Sequence, residues 1–167
     1  MPHTHDQHRT HHYDTTVTWT GNTGEGTASL RSYEKVYTIA ADGKPVIAGS
    51  SDPAFRGDPA RWNPEDLLVA SLSACHMLWF LSLAAKAKLV VVAYIDRATG
   101  EMAETASGSG QFTQVTLHPE IVFAAGTTPA QLERVGAVHH DAHAMCFVAN
   151  SVNFPVTVEG TIAVAEA

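Results

Sequence analysis

Apolar positions in this chain alternate with polar ones from Tyr13 onward, condense into one unbroken run in the middle, and alternate again towards the end. Val17 and Trp19 in TTVTWT have the period of two that marks half-buried strands, as do Val36, Tyr37 and Ile39 before the turn ADGK. Leu30 and Tyr33, after the glycine-rich turn GNTGEG, continue the pattern, and together these segments predict hairpin strands. SSDPAFRGDPARW, residues 50–62, carries three turn signals in a row (Asp52-Pro53, Arg56-Gly57, Asp58-Pro59) and reads as a loop.

That loop delivers the chain to NPEDLLVASLSACHMLWFLSLAAKA, residues 63–87. Asn63 can cap a helix, Pro64 suits its first position, and Glu65 and Asp66 sit where the positive end of the helix dipole favours carboxylates. From Leu67 to Ala85, 19 residues, no Asp, Glu, Lys or Arg occurs, so this predicts one long apolar helix. Beyond it, Val90 to Arg97 and Gly110 to Phe123 read as strands separated by the polar connection GEMAETASGSG. Thr128-Pro129-Ala130-Gln131 is a capping box that predicts a second helix from about Pro129 to His143. Asn150 to Phe154 reads as a short helix or turn, and Pro155 to Ala163 as a closing strand. Strands before, between and after two helices, with no regular βαβ alternation, define an α+β fold.

Composition narrows the function classes. At 167 residues the chain is long enough for one domain with its own core, here taken as residues 13–167. Residues 1–12, MPHTHDQHRTHH, hold five histidines without an apolar period and read as a mobile arm able to bind metal weakly. Ten Lys and Arg against 17 Asp and Glu give a net charge of −7 with no basic stripe, which removes the attraction that drives nucleic-acid binding. The apolar run reaches the length of a bilayer span, but Ser71, Ser73, His76 and Ser82 within it favour a buried core helix over a membrane segment. Two cysteines 71 residues apart, with no apolar leader, fit a reducing cytoplasm.

Cys75 lies near the middle of the long helix, and Cys146 directly after the second one, where the free N–H groups of a new helical turn would favour a thiolate. A lone buried cysteine is ordinary core; two in comparable settings suggest a working pair. Near the reference pKa only about 3% of a thiol is ionised at pH 7, and an adjacent guanidinium would raise that severalfold. Arg56 and Arg61, in the loop before the helix, and Arg31, on an earlier strand, are the candidates. Glu65 lies ten residues before Cys75 on the same helix, about 15 Å away along the axis and some 80° short of a common face, so it cannot reach that sulfur. If both serve one site they act through an arginine or come from two subunits. A competing arrangement is His139, His143 and Cys146 sharing one helical face as a metal clamp, with Cys75, His76 or another chain completing it. Inert packing is a third.

NPEDLLVASLSACH resembles the signature of the OsmC/Ohr family, in which Asn-Pro-Glu opens a long central helix and a cysteine follows the glutamate by ten residues. AHAMCFVANSVNFPVTVEGTI resembles the family's second motif, a cysteine leading through a short helix to the closing strand, and the likeness covers roughly residues 25–165. The resemblance implies an OsmC-like fold with antiparallel-rich sheets around the central helix, an intertwined homodimer, and sites at the subunit interface. It also implies an organic hydroperoxide reductase: Cys75 as the peroxidatic thiol, Cys146 as the resolving thiol, Arg56 as activator and Glu65 as the carboxylate orienting it. No cofactor is expected beyond an external dithiol reductant. The alternative is an OsmC-like protein that binds a metal or small ligand without peroxidase turnover. Two positions depart from the family: Phe147 follows Cys146 where Pro and Val are usual, and His76 after Cys75 is not a general feature.

Overall fold

The structure is a computed structural model and describes residues 9–166, so most of the histidine-rich arm expected over residues 1–12 lies outside the described residues. The chain divides into two compact units, Met1–Glu65 and Asp66–Ala167.

In the first unit, β1 (Thr16–Trp19), β2 (Val36–Ala40) and β3 (Ile47–Ser50) form an antiparallel sheet in the order β1-β2-β3. The expected strands at Val17–Trp19 and Val36–Ile39 are present, whereas Leu30 and Tyr33 belong to a turn-rich excursion touched only by the isolated bridge Asn22–Tyr33. At ADGK, Gly43 takes a φ of 68°, the left-handed conformation a side chain would resist. Gly49 lies beneath the Tyr37 ring, where a Cβ would stand 2.2 Å from a ring carbon. The loop over 50–62 is present as expected, with a one-turn 3-10 helix at Pro53–Phe55 capped by the Asp52 side chain. Among the described residues no buried hydrophobic side chain belongs to this unit, and Val17, Trp62 and Trp19 are 63%, 54% and 43% exposed.

The second unit is built on α1 (Pro64–Lys86), which starts at the proline marked by the sequence. Its C-terminus closes as a Schellman motif: Lys88 is left-handed at φ 58°, Leu89 N–H reaches Ala84 O, and Lys88 N–H reaches Ala85 O. Leu72, His76, Phe80 and Ala84, four residues apart in turn, form its buried face. By length and composition alone α1 could cross a membrane, but that face, His76 included, is packed within the unit.

Two sheets follow, β4-β7-β9 and β5-β6-β8, made from β4 (Val91–Asp96), β5 (Thr99–Glu104), β6 (Gly110–Leu117), β7 (Pro119–Phe123), β8 (Val156–Val158) and β9 (Thr161–Val164). The polar connection expected at 100–110 is thus mostly β5, a hairpin partner of β6, with both faces exposed. The single strand expected over 110–123 changes sheets at His118, whose N–H is taken by Asp96 Oδ1 at 2.7 Å instead of a ladder carbonyl, and Pro119 can then start β7 because it has no N–H to pair. The closing strand divides at the same level, between Val158 and Thr161, where a Cβ on Gly160 would collide with Pro119. Because β8 runs parallel to β6 and β9 parallel to β7, the two chains turn the corner together. The other four strand pairs are antiparallel, giving the expected antiparallel-rich α+β architecture.

The second helix is also divided. The Thr128–Gln131 capping box is formed, but it heads a short α2 (Pro129–Leu132), and α3 (Val135–Met145) follows after Glu133 and Arg134. Gln131 and Arg134 donate to Lys88 O and Ala87 O, carbonyls left free past the end of α1, so the break serves that terminus. The main core joins Phe80, Ala84, Leu89, Ile121, Phe123, Val135, Val138 and Ala142; a second cluster gathers Leu72, Val115 and Leu117.

Candidate active site

Folding brings the two cysteines together in the second unit. Cys75 sits on α1, partly exposed, and Cys146 is the buried C-cap of α3; both are free thiols, and their side chains interact with each other. Helix periodicity alone cannot give this contact, because it depends on how α3 lies on α1. The chain after Cys146 curls back, with Asn150 N–H on Cys146 O at 3.0 Å and Ala149 N–H 3.4 Å from the sulfur.

The expectation that free N–H groups would make Cys146 a thiolate is corrected here. The Ala149 and Val148 N–H groups do pull its pKa down, but burial first, and the bond to Cys75 second, push it up to about 11. Cys146 is therefore held as S–H. The more accessible sulfur is thereby set apart from one that is buried and protonated.

Around the pair, α1 and α3 present aromatic and imidazole rings. Trp79, one turn after Cys75, meets Phe147 edge to face, with centroids 5.9 Å apart and planes at 81°. His76, 1% exposed, places Nε2 3.0 Å from His139 Nδ1, and the His139 ring packs on Phe80 at a centroid distance of 4.4 Å. His76 Nδ1 is buried without a partner. Burial, then the charges of His139 and His143, depress the His76 pKa to about 4, and burial depresses His139 as well, so both rings are neutral at physiological pH. The metal clamp envisaged for His139, His143 and Cys146 is not assembled: His139 is turned onto His76, Cys146 onto Cys75, and no group of three or more ligand side chains among the described residues is placed to hold a metal ion.

The remaining candidates lie in the first unit. Arg56, left-handed at φ 66°, donates from Nη2 to Leu30 O at 2.5 Å. Arg61 is paired with Asp58 at 3.1 Å, while Arg31 is exposed. Arg56, Arg61 and Lys35 line one open cleft of about 370 Å³ together with Glu34 and Asp58. Glu65 keeps Oε2 buried without a partner, and after burial its charge is the second cause holding the Tyr37 phenol above its ordinary range. Arg61–Asp58 and Arg97–Glu120 are ion pairs, and among the described residues Glu65 forms none with an arginine of its own chain. The contact that sequence reasoning missed is His76–His139. Its signal was present, because a histidine at the i+4 spacing of Leu72 and Phe80 must be buried and must find a partner.

A long helix with a partly exposed thiol near its middle, in contact with a buried thiol at the end of α3, defines an α+β dithiol protein. A family model described as OsmC-like protein matches residues 57–160, and the chain belongs to that family. An OsmC-like protein of unknown function from Vibrio cholerae is 35% identical, with a TM-score of 0.82 over 91% of this chain and 100% of its own. An organic hydroperoxide resistance protein from Elizabethkingia anophelis, 20% identical, superposes with a TM-score of 0.63 over 95% of this chain and all of its own. One from Legionella pneumophila, 19% identical, gives 0.60 over 92% and 98%. No functionally curated protein matches the chain.

Proposed function

We propose that this protein is a thiol-dependent peroxidase that reduces organic hydroperoxides to alcohols. The observation that carries the reading is the pairing of a partly exposed Cys75 with a buried, protonated Cys146, 71 residues apart in sequence. The Cys75 thiolate attacks the terminal peroxide oxygen, the O–O bond breaks, and the alkoxide leaves and takes a proton as the alcohol. Cys75 is then a sulfenic acid. Cys146, already in contact, gives up its proton and attacks that sulfur; water leaves and the disulfide forms. An external dithiol supplies the two electrons and two protons that reset the pair, and the cytoplasm is the compartment that keeps such a dithiol reduced. Trp79, Phe147 and Leu78 beside the thiols suit an alkyl or lipid-like substrate better than hydrogen peroxide.

Arg56 is assigned as the cation that activates Cys75, and Glu65 as its orienting carboxylate, within a symmetric homodimer. Three features support the dimer. Glu65 and Cys75 are about 15 Å apart along one helix, and Glu65 has a buried oxygen awaiting a donor. The N-terminal sheet has apolar side chains but no buried apolar core of its own. The outer face of α1, through Ala70, Ala74, Leu78 and Ser82, is exposed and uncharged, which an isolated chain would leave in water.

Reduced protein should consume cumene hydroperoxide faster than hydrogen peroxide. Cys75→Ser should abolish turnover, and Cys146→Ser should stop at a trappable sulfenic acid that over-oxidises under excess peroxide. Full activity in Cys75→Ser, or an oxidised wild type with no Cys75–Cys146 linkage by mass spectrometry, would overturn the mechanism.

A further inference from the structure

α1 and α3 carry one cysteine each, and the same two helices are joined by a second side-chain contact that the proposed chemistry does not use. His76 follows Cys75 immediately, and His139 precedes Cys146 by seven residues, about two helical turns. Their rings are nearly coplanar, 6° between planes, with Nε2 of one facing Nδ1 of the other at 3.0 Å, the geometry of an in-plane hydrogen bond between neutral imidazoles rather than of stacked faces. The bond is embedded in core: Phe80 covers the His139 ring, and Val138 and Ala142 of the same helix belong to the main buried cluster.

We infer that His76 and His139 are positioning residues for the dithiol, their hydrogen bond fixing the register of α3 on α1 and thereby the reach of the Cys146 sulfur to Cys75. Apolar side chains alone would set the separation of the two helices but tolerate a small slide along the axis. A hydrogen bond is directional and weakens steeply once donor and acceptor are misaligned, so a slide of α3 along α1 that apolar packing would tolerate breaks the alignment of Nε2 with Nδ1. The partnerless His76 Nδ1 marks the same priority: a buried polar atom is left unsatisfied while the other nitrogen keeps its bond to α3. The role rests on the reading of Cys75 and Cys146 as a redox pair, but it can be read without any peroxide.

The measurement is the equilibrium of the full-length protein with glutathione. Two protein thiols and one glutathione disulfide exchange to one Cys75–Cys146 disulfide and two glutathione thiols, with electrons and protons balanced, and the constant reports the effective concentration of one sulfur at the other. The doubly apolar variant His76→Leu/His139→Leu removes both polar partners at once, which preserves folding better than stranding one. Its effective concentration should fall by about fivefold, the factor for losing one net hydrogen bond of typical strength. His76→Gln/His139→Asn, whose amide groups stand where Nε2 and Nδ1 stood, should restore it to within about twofold. If the double leucine variant does not fold, His76→Met/His139→Leu, which also removes both polar partners but places a more adaptable side chain at position 76, gives the same comparison. An unchanged constant in a folded leucine variant, or an equal fall in the amide variant, overturns the positioning role and leaves the peroxidase reading intact. A wild type that forms no disulfide at any glutathione ratio ends both.

Discussion

Acid should destabilise this protein through one buried imidazole. In the folded chain the His76 pKa lies at about 4, because burial disfavours the charged ring and His139 and His143 add repulsion; in the unfolded chain it returns to the ordinary value near 6.5. Between those values the unfolded chain takes up a proton that the folded chain refuses. The contribution is therefore fully present above about pH 6.5, is lost as the pH falls, and levels off near pH 4. A gap of about 2.5 pH units at 1.36 kcal/mol each gives about 3 kcal/mol, and allowing for solvent on the half-exposed His139 side leaves about 2 kcal/mol. His139, also depressed by burial, acts in the same direction. Against a total stability of about 5–15 kcal/mol for an ordinary domain, this is a substantial share. Urea unfolding at fixed protein concentration, at about pH 7 and about pH 4.5, should show the loss in wild type and most of it gone in His76→Gln/His139→Asn. The other groups facing the pair stay in both proteins and set the shared remainder: His143 on α3, and Tyr94 on β4, which meets Phe80 and feels Asp96. An identical loss in the two proteins would show that the acid response originates elsewhere.

Two further outcomes follow from the thiols and the exposed faces. With a pKa of about 11, Cys146 is only about 0.1% thiolate at pH 8, so iodoacetamide should alkylate Cys75 first by at least about tenfold in peptide mass spectra, and equal labelling would refute the assigned roles. Mixing Glu65→Gln with Cys75→Ser chains should recover one working site per dimer, because Glu65 of one chain would serve Cys75 of the other; a stable, fully active monomer in sedimentation would refute the shared site.

Local physics made part of this legible in advance. Pro64 after Asn63, with acidic residues next and 19 uncharged residues beyond, fixed the start and extent of α1, and the Thr128–Gln131 capping box located α2. Such signals act within one turn and survive any tertiary context. Both cysteines, and the family to which they belong, could be picked out from motifs alone. Continuity could not. The strands at 110–123 and 155–163 and the helix at 129–143 are each cut in two by partners distant in sequence: the Asp96 carboxylate, the clash between Gly160 and Pro119, and the free carbonyls at the end of α1. Those partners meet only after the sheets are assembled. The same holds for the protonation of Cys146, where N–H groups suggested a thiolate and burial prevailed, and for His139, which spacing offered to a metal and packing gave to His76. Spacing along one helix states which side chains share a face; the surface which that face meets is set by the rest of the chain, and the charge state follows from how much water the meeting excludes.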